Sequence, residues 1–166
     1  AARSGIDEIL RTVYIGGARM NIFRDDVQWP ETWPTREELL DAARRARARS
    51  YSPYSGFPVG AALLVEGMEE PLLACNVENG SYGLSICAER SAAVAMIARG
   101  GRRPLAVAIV GEPGEPCLPC GACRQFLAEF NPGMVMVFEK GDGHATTTLA
   151  DLFPAPFLLE EQKTAE

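Results

Sequence analysis

The sequence predicts an α/β protein, a three-layer α/β/α sandwich around a mixed central sheet of about five strands. Three observations carry the prediction. From residue 35 onward, short apolar runs alternate with Ala- and Leu-rich segments of helical period. Two of the apolar runs, Val59 to Val65 and Leu72 to Val77, are separated by Glu66-Gly67 and read as an antiparallel hairpin. The later runs are separated by helical segments, which requires crossover connections and some parallel pairing.

Taken in order, Thr35 with Glu38 three residues later makes a capping box. Behind it Leu39, Leu40, Ala43 and Ala46 recur at helical spacing, so a first helix is expected to run to about Ser50. Pro53 and Pro58 bracket a loop, and the hairpin follows. Ala88 to Arg99 is an Ala-rich helix stopped by Gly100-Gly101. Leu105 to Val110 is a strand, Ala122 to Phe130 a helix closed by Asn131-Pro132-Gly133, and Met134 to Phe138 another strand. One domain is therefore expected over residues 35–160, with a short tail at 161–166. Residues 1–34 show no sustained periodicity and read as a partly ordered N-terminal extension.

Composition narrows the class of partner. With 47% hydrophobic and 23% charged residues, the chain is of globular composition. No apolar run is long enough to span a bilayer. Asp7, Glu8 and Arg11 fall where a secretory leader would be apolar, so the cytoplasm is the expected location. A formal net charge of −6 argues against nucleic acid as partner. The one basic stretch, Arg44 to Arg49, reads as the solvated face of the first helix.

The cysteines carry the chemistry. Five stand at 75, 87, 117, 120 and 123, an odd number with three inside seven residues, which suggests metal or thiol chemistry before a disulfide framework. Cys87-Ala88-Glu89-Arg90 opens one helix, and Pro119-Cys120-Gly121-Ala122-Cys123-Arg124-Gln125 opens the next. A helix N-terminus stabilises a thiolate through its dipole and its free N–H groups. Three protein ligands with a fourth position open suit a catalytic zinc, whereas a structural zinc is closed by four. The closed alternative adds Cys117, but it leaves Glu89 without a role and needs a turn stiffened by Pro119. A thiol–disulfide couple at Cys-x-x-Cys leaves both Cys87 and Glu89 unexplained. Cys75 and Cys117 otherwise read as small buried hydrophobes, and the only histidine, His144, is far from both clusters in sequence.

With these motifs in place the chain resembles the small, homotetrameric type of cytidine deaminase. Cys87-Ala88-Glu89 and Pro119-Cys120-Gly121-Ala122-Cys123 form the all-cysteine variant of the zinc deaminase signature. Tyr54 to Leu63 is similar to the family's first-strand motif, and Asn76 to Leu84 runs almost directly into Cys87. The resemblance is strong over residues 51–125 and weaker on to Phe157. It implies that residues 35–160 are the catalytic domain and that Cys87, Cys120 and Cys123 bind one Zn2+ per subunit. Glu89 would shuttle protons while a zinc-activated water attacks cytidine or 2′-deoxycytidine, releasing ammonia in pyrimidine salvage. Asn76 and Glu78 would hold the ribose 3′-hydroxyl, Phe57 would pack on the base, and the backbone at Ala88 would help read it. Tyr82 and Phe157 would complete a pocket shared between subunits of a homotetramer.

Three thiolates outweigh the two charges of zinc and weaken its Lewis acidity. A positive group is therefore expected beside them, and Arg90 is the first candidate. Blasticidin-type deaminases share this chemistry, but the Asn76-x-Glu78-Asn79 motif favours a plain nucleoside. A polynucleotide deaminase would more typically use a histidine ligand and a basic surface. A non-catalytic zinc-stabilised module is the reading from a different class.

Overall fold

A computed structural model describes residues 12–15 and 18–159. The expected tail at 161–166 and the start of the N-terminal extension lie outside the described residues. A short hairpin, β1 (Thr12–Ile15) and β2 (Ala18–Asn21), precedes the body. The body then runs α1 (Arg36–Arg47), β3 (Gly60–Val65), β4 (Leu72–Cys75), α2 (Ala88–Ala98), β5 (Pro104–Val110), α3 (Gly121–Ala128), β6 (Val135–Lys140), β7 (Gly143–Thr148) and α4 (Leu149–Leu152).

The helix boundaries follow from local chemistry. Thr35 caps α1 as expected: its hydroxyl accepts from Glu38 N at 3.2 Å, and the Glu38 carboxylate accepts from Thr35 N at 2.7 Å. Past the end of α2, Gly100 takes a φ of +87°, a left-handed conformation that costs other residues a steric penalty.

The sheet has the order β4-β3-β5-β6-β7. The hairpin of β3 and β4 is antiparallel, as its turn requires. β5 lies on the other side of β3 and is also antiparallel to it, so the only parallel pair in this sheet is β5 with β6, across the α3 crossover. Alternate residues of each central strand face opposite helical layers. Ala61, Leu63, Val107, Ile109, Met136 and Phe138 point toward α2 and α3, where Ala92, Met96 and Leu127 meet them. Ala62, Leu64, Ala106, Ala108 and Val137 point the other way, onto Leu39, Leu40 and Ala43 of α1. The small side chains of β3 let α1 approach closely: a Cβ on Gly60 would stand 2.1 Å from the Ala43 carbonyl oxygen.

Three features depart from the sequence reading. β7 was not expected, because Gly-His-Ala-Thr-Thr-Thr has little apolar content; antiparallel pairing with β6 from Val135↔Thr148 to Lys140↔Gly143 makes it a strand. Residues upstream of Thr35 pack onto the body: Ile22 and Phe23 join the α2-side core, and Val27, Trp29 and Trp33 extend the α1 layer. The physical reason is coverage. On the α1 face, a single helix about 10 Å across cannot roof a five-stranded sheet about 20 Å wide, so Val27, Trp29 and Trp33 complete that layer. Arg44, finally, is not simply solvated, since its Nε donates to the buried carboxylate of Glu139. No described helix is long and apolar enough to cross a membrane.

Candidate active site

Two helix N-termini on the same side of the sheet build the site. Cys87 is the N-cap of α2 and Cys120 the N-cap of α3, both in extended backbone. Neither thiol makes a side-chain capping bond, so each sulfur is free to turn outward, with positive helix dipoles behind them. Cys123, in the first turn of α3, is fully buried.

Cys87 Sγ lies 3.9 Å from Cys120 Sγ, which lies 3.5 Å from Cys123 Sγ. All three sulfurs fall within 4.8 Å of one another. Thiolates at tetrahedral angles around zinc, with Zn–S near 2.3 Å, stand about 3.8 Å apart, so the trio is spaced as a tetrahedral metal requires. The hydrogen bond from Cys123, with further help from Arg90 and Cys120, holds the Cys87 thiol down at about 5 against its partial burial. The Cys123 thiol is driven the other way, by that same bond and by burial. A metal takes such sulfurs as thiolates, so binding at the trio would release protons.

Cys117 does not join the trio. Burial, reinforced by Glu89 and Cys87, pushes its thiol up to about 12. Its sulfur instead faces Gly111: a Cβ there would lie 2.9 Å from Cys117 Sγ and 3.1 Å from Cζ of Phe57. The closed four-cysteine arrangement is not what the fold builds.

Glu89 is 4% exposed, and desolvation pushes its carboxyl above the usual range, with the charge on Cys87 adding to the effect. Arg90 turns back over the trio, its Nη2 donating to Ser85 O at 3.2 Å and to Cys87 Sγ at 3.7 Å. Among the described residues its Nε is buried without a hydrogen-bond partner. Ala88, between Cys87 and Glu89, is fully buried.

The other expected residues lie around this centre. Asn76 Oδ1 accepts from Ser50 Oγ at 2.5 Å and from Val59 N at 2.8 Å, while its Nδ2 donates to Phe57 O at 3.0 Å. Both acceptor sites are used, and among the described residues one N–H has no partner. Glu78 accepts from the amides of Tyr54 and Ser55 at 2.9 and 3.2 Å and from the Ser55 hydroxyl. A carboxylate has about four lone-pair sites, so a further hydroxyl can still donate to it. Glu78 and Tyr82 line a cavity of about 310 Å3 together with Tyr54, Ser55 and Ser85. Phe57 is outside that lining, against Gly111 and Cys117, and Phe157 is 70% exposed, with its backbone bound to Gln125. The sequence reading gave no role to Tyr54, Ser55 or Ser85. Tyr54 and Ser55 open the Tyr54 to Leu63 motif and Ser85 directly follows the Asn76 to Leu84 segment, and that placement was their signal in the sequence.

An α/β/α layer with three convergent thiolates at two helix N-termini and a buried carboxyl beside them defines a zinc metalloenzyme. Residues 34–139 match the family described as the cytidine and deoxycytidylate deaminase zinc-binding region. Among similar proteins, the cytidine deaminase of Sporosarcina psychrophila is 43% identical over 128 residues, covering 75% of this chain and 93% of that protein. That of Mycobacterium tuberculosis is 41% identical over 136 residues, covering 82% and 94%. The crystal structure of the Burkholderia pseudomallei cytidine deaminase superposes with a TM-score of 0.70 at 43% identity, over 75% of this chain and all of that one. This chain belongs to the cytidine and deoxycytidylate deaminase zinc-binding family.

Proposed function

We propose that the protein hydrolyses cytidine and 2′-deoxycytidine to uridine and 2′-deoxyuridine, releasing ammonia. The observation that carries the reading is the juxtaposition of the zinc-spaced trio with the buried carboxyl of Glu89, in a chain 41–43% identical to cytidine deaminases.

Cys87, Cys120 and Cys123 hold the metal. When bound, zinc would supply the Lewis acidity that activates water as a nucleophile, lowering its pKa from about 15.7 toward about 7. Glu89 moves the protons: it accepts one from the attacking water as the C4–O bond forms and delivers it to N3. It then takes the remaining proton of the C4 hydroxyl and passes it to the departing amine as the C4–N bond breaks and the C4 carbonyl forms. Its raised affinity for a proton suits a group that must both take and give one. Arg90 offsets the excess negative charge of the thiolates. The free N–H of Asn76 and the carboxylate of Glu78 address the ribose 3′-hydroxyl, Phe57 packs on the pyrimidine, and the backbone at Ala88 reads its edge.

The cavity lining favours a nucleoside over a nucleotide. Glu78 contributes negative charge, and Tyr54, Ser55, Tyr82 and Ser85 supply no cation to meet a phosphate. Exposed apolar side chains gather near the site, among them Tyr54, Tyr82, Leu84 and Ile86, and Phe126 and Phe157 add to them. Such surface supports assembly into a homotetramer with shared sites, in which Tyr82 and Phe157 complete a neighbour's pocket. Thiolate ligands stay metal-competent only if kept reduced, which supports a cytoplasmic place in pyrimidine salvage.

The test is a substrate panel: absorbance change and product identity for cytidine, deoxycytidine, deoxycytidine monophosphate and blasticidin S with zinc-loaded protein. The expected result is uridine and deoxyuridine from the two nucleosides at kcat/KM at least about 100-fold above the nucleotide, the cost of an unpaired phosphate charge. No turnover of cytidine, or faster turnover of the monophosphate or blasticidin S, would overturn the reading.

A further inference from the structure

Arg124 and Gln125 follow Cys123 directly on α3, and nothing in the deamination chemistry above uses them. Both reach the arm that leaves α4. Arg124 Nη1 donates to Leu152 O at 2.9 Å, and its Nε donates at 2.9 Å to the carbonyl of Pro119, the residue before Cys120. Gln125 makes a reciprocal pair with a single residue. Its Nε2 donates to Phe157 O at 2.7 Å, and its Oε1 accepts from Phe157 N at 3.0 Å. A side-chain amide that takes both main-chain groups of one residue acts as a short β-bridge, fixing that backbone in position and orientation.

The arm is thus pinned at two points, Leu152 and Phe157, to the helix that carries two of the three sulfurs. Yet the Phe157 ring, the large apolar group at the second point, is left 70% exposed. Exposing an aromatic ring on a fixed backbone forgoes the stabilisation that burial would give. It is reasonable only where the ring is presented to something else.

We infer that Gln125 is a positioning residue: its amide pair with the Phe157 backbone sets where the Phe157 ring meets the nucleoside site, an inference resting on the deaminase reading above. The metal helix and the substrate-facing arm then form one unit, and a loosened arm weakens substrate binding without disturbing the metal.

Gln125→Met keeps side-chain length and helix propensity but removes both hydrogen bonds. The full-length zinc-loaded variant is compared with wild type, Phe157→Ala and the double variant, by kcat and KM for cytidine, zinc content and amide hydrogen exchange of the arm. Faster exchange at the Phe157 amide is expected, with a KM raised about 10-fold, kcat within about 2-fold, and zinc unchanged. The double variant is expected to be no worse than Phe157→Ala alone, because both remove one interaction. Unchanged exchange, unchanged KM, a KM rise that tracks zinc loss, or additive effects in the double variant would each overturn the inference. A wild-type protein that holds zinc but does not turn over cytidine would bring down the functional reading instead.

Discussion

Arg90 Nη2 lies 3.7 Å from Cys87 Sγ, and the backbone carbonyl of Ser85 accepts from the same nitrogen at 3.2 Å, holding the guanidinium there. In the proposed mechanism this contact would offset the charge of three thiolates around one divalent ion, because a permanent cation hydrogen-bonded to a ligand sulfur weakens that sulfur's donation to the metal. Arg90→Gln is expected to keep zinc while kcat falls about 10- to 100-fold, the scale of one charge-assisted hydrogen bond. Turnover and zinc content of the purified variant check this; unchanged turnover would remove Arg90 from the mechanism.

Cys117 offers a contrast among the thiols. Its sulfur packs against Gly111 rather than the trio, so Cys117→Val should leave bound zinc undiminished, whereas Cys120→Ser should lose most of it. Metal analysis after dialysis distinguishes the two. Loss of zinc from Cys117→Val would restore the closed four-cysteine site.

Stability should be most sensitive where backbone meets backbone. A Cβ on Gly60 would stand 2.1 Å from Ala43 O and 2.3 Å from Arg47 N, and neither atom can move without displacing α1. Gly60→Ala is expected to cost about 3 kcal/mol, at the upper end for overpacking, read as a lowered urea midpoint. Gly83→Ala, with nothing within 4 Å of its added carbon, is the control and should shift the midpoint little.

Glu78 supplies a pH dependence of known sign. The Ser55 hydroxyl, and then the Tyr54 and Ser55 amides, hold its carboxyl below the ordinary value of 4.5. A depressed carboxyl stabilises the folded state fully above its unfolded pKa, and the contribution disappears as pH falls through the folded value. Thermal midpoints of Glu78→Gln should therefore decline less than those of wild type between about pH 5 and about pH 3. Parallel declines would show that the Tyr54-Ser55 turn does not depend on the carboxylate.

The parts legible in the sequence are those whose cause is local. Thr35 and Glu38 form their box within four residues, Gly100 ends α2 because of its own conformation, and the unbroken apolar runs of β3 and β5 record burial on both faces. Cys87, Cys120 and Cys123 announced themselves because ligand spacing is itself a short-range pattern. What stayed hidden depends on partners distant in the chain. β7 is a strand because β6 pairs with it, and Phe23 is core because it packs on Phe138. Glu78 holds a turn 23 and 24 residues away, and Gln125 bonds a residue 32 positions on. None of these leaves a periodic trace in composition.

Glu89, buried at 4% exposure beside the trio, is the residue to which the proposed mechanism assigns the proton transfers. The most direct measurement is ammonia released from cytidine by wild-type and Glu89→Ala proteins, with zinc quantified in both. Zinc in both proteins, with the rate lowered about 10²- to 10⁴-fold in the variant, is the expected result for a lost proton shuttle. A variant that keeps the wild-type rate, or loses activity only in proportion to lost zinc, would contradict that role.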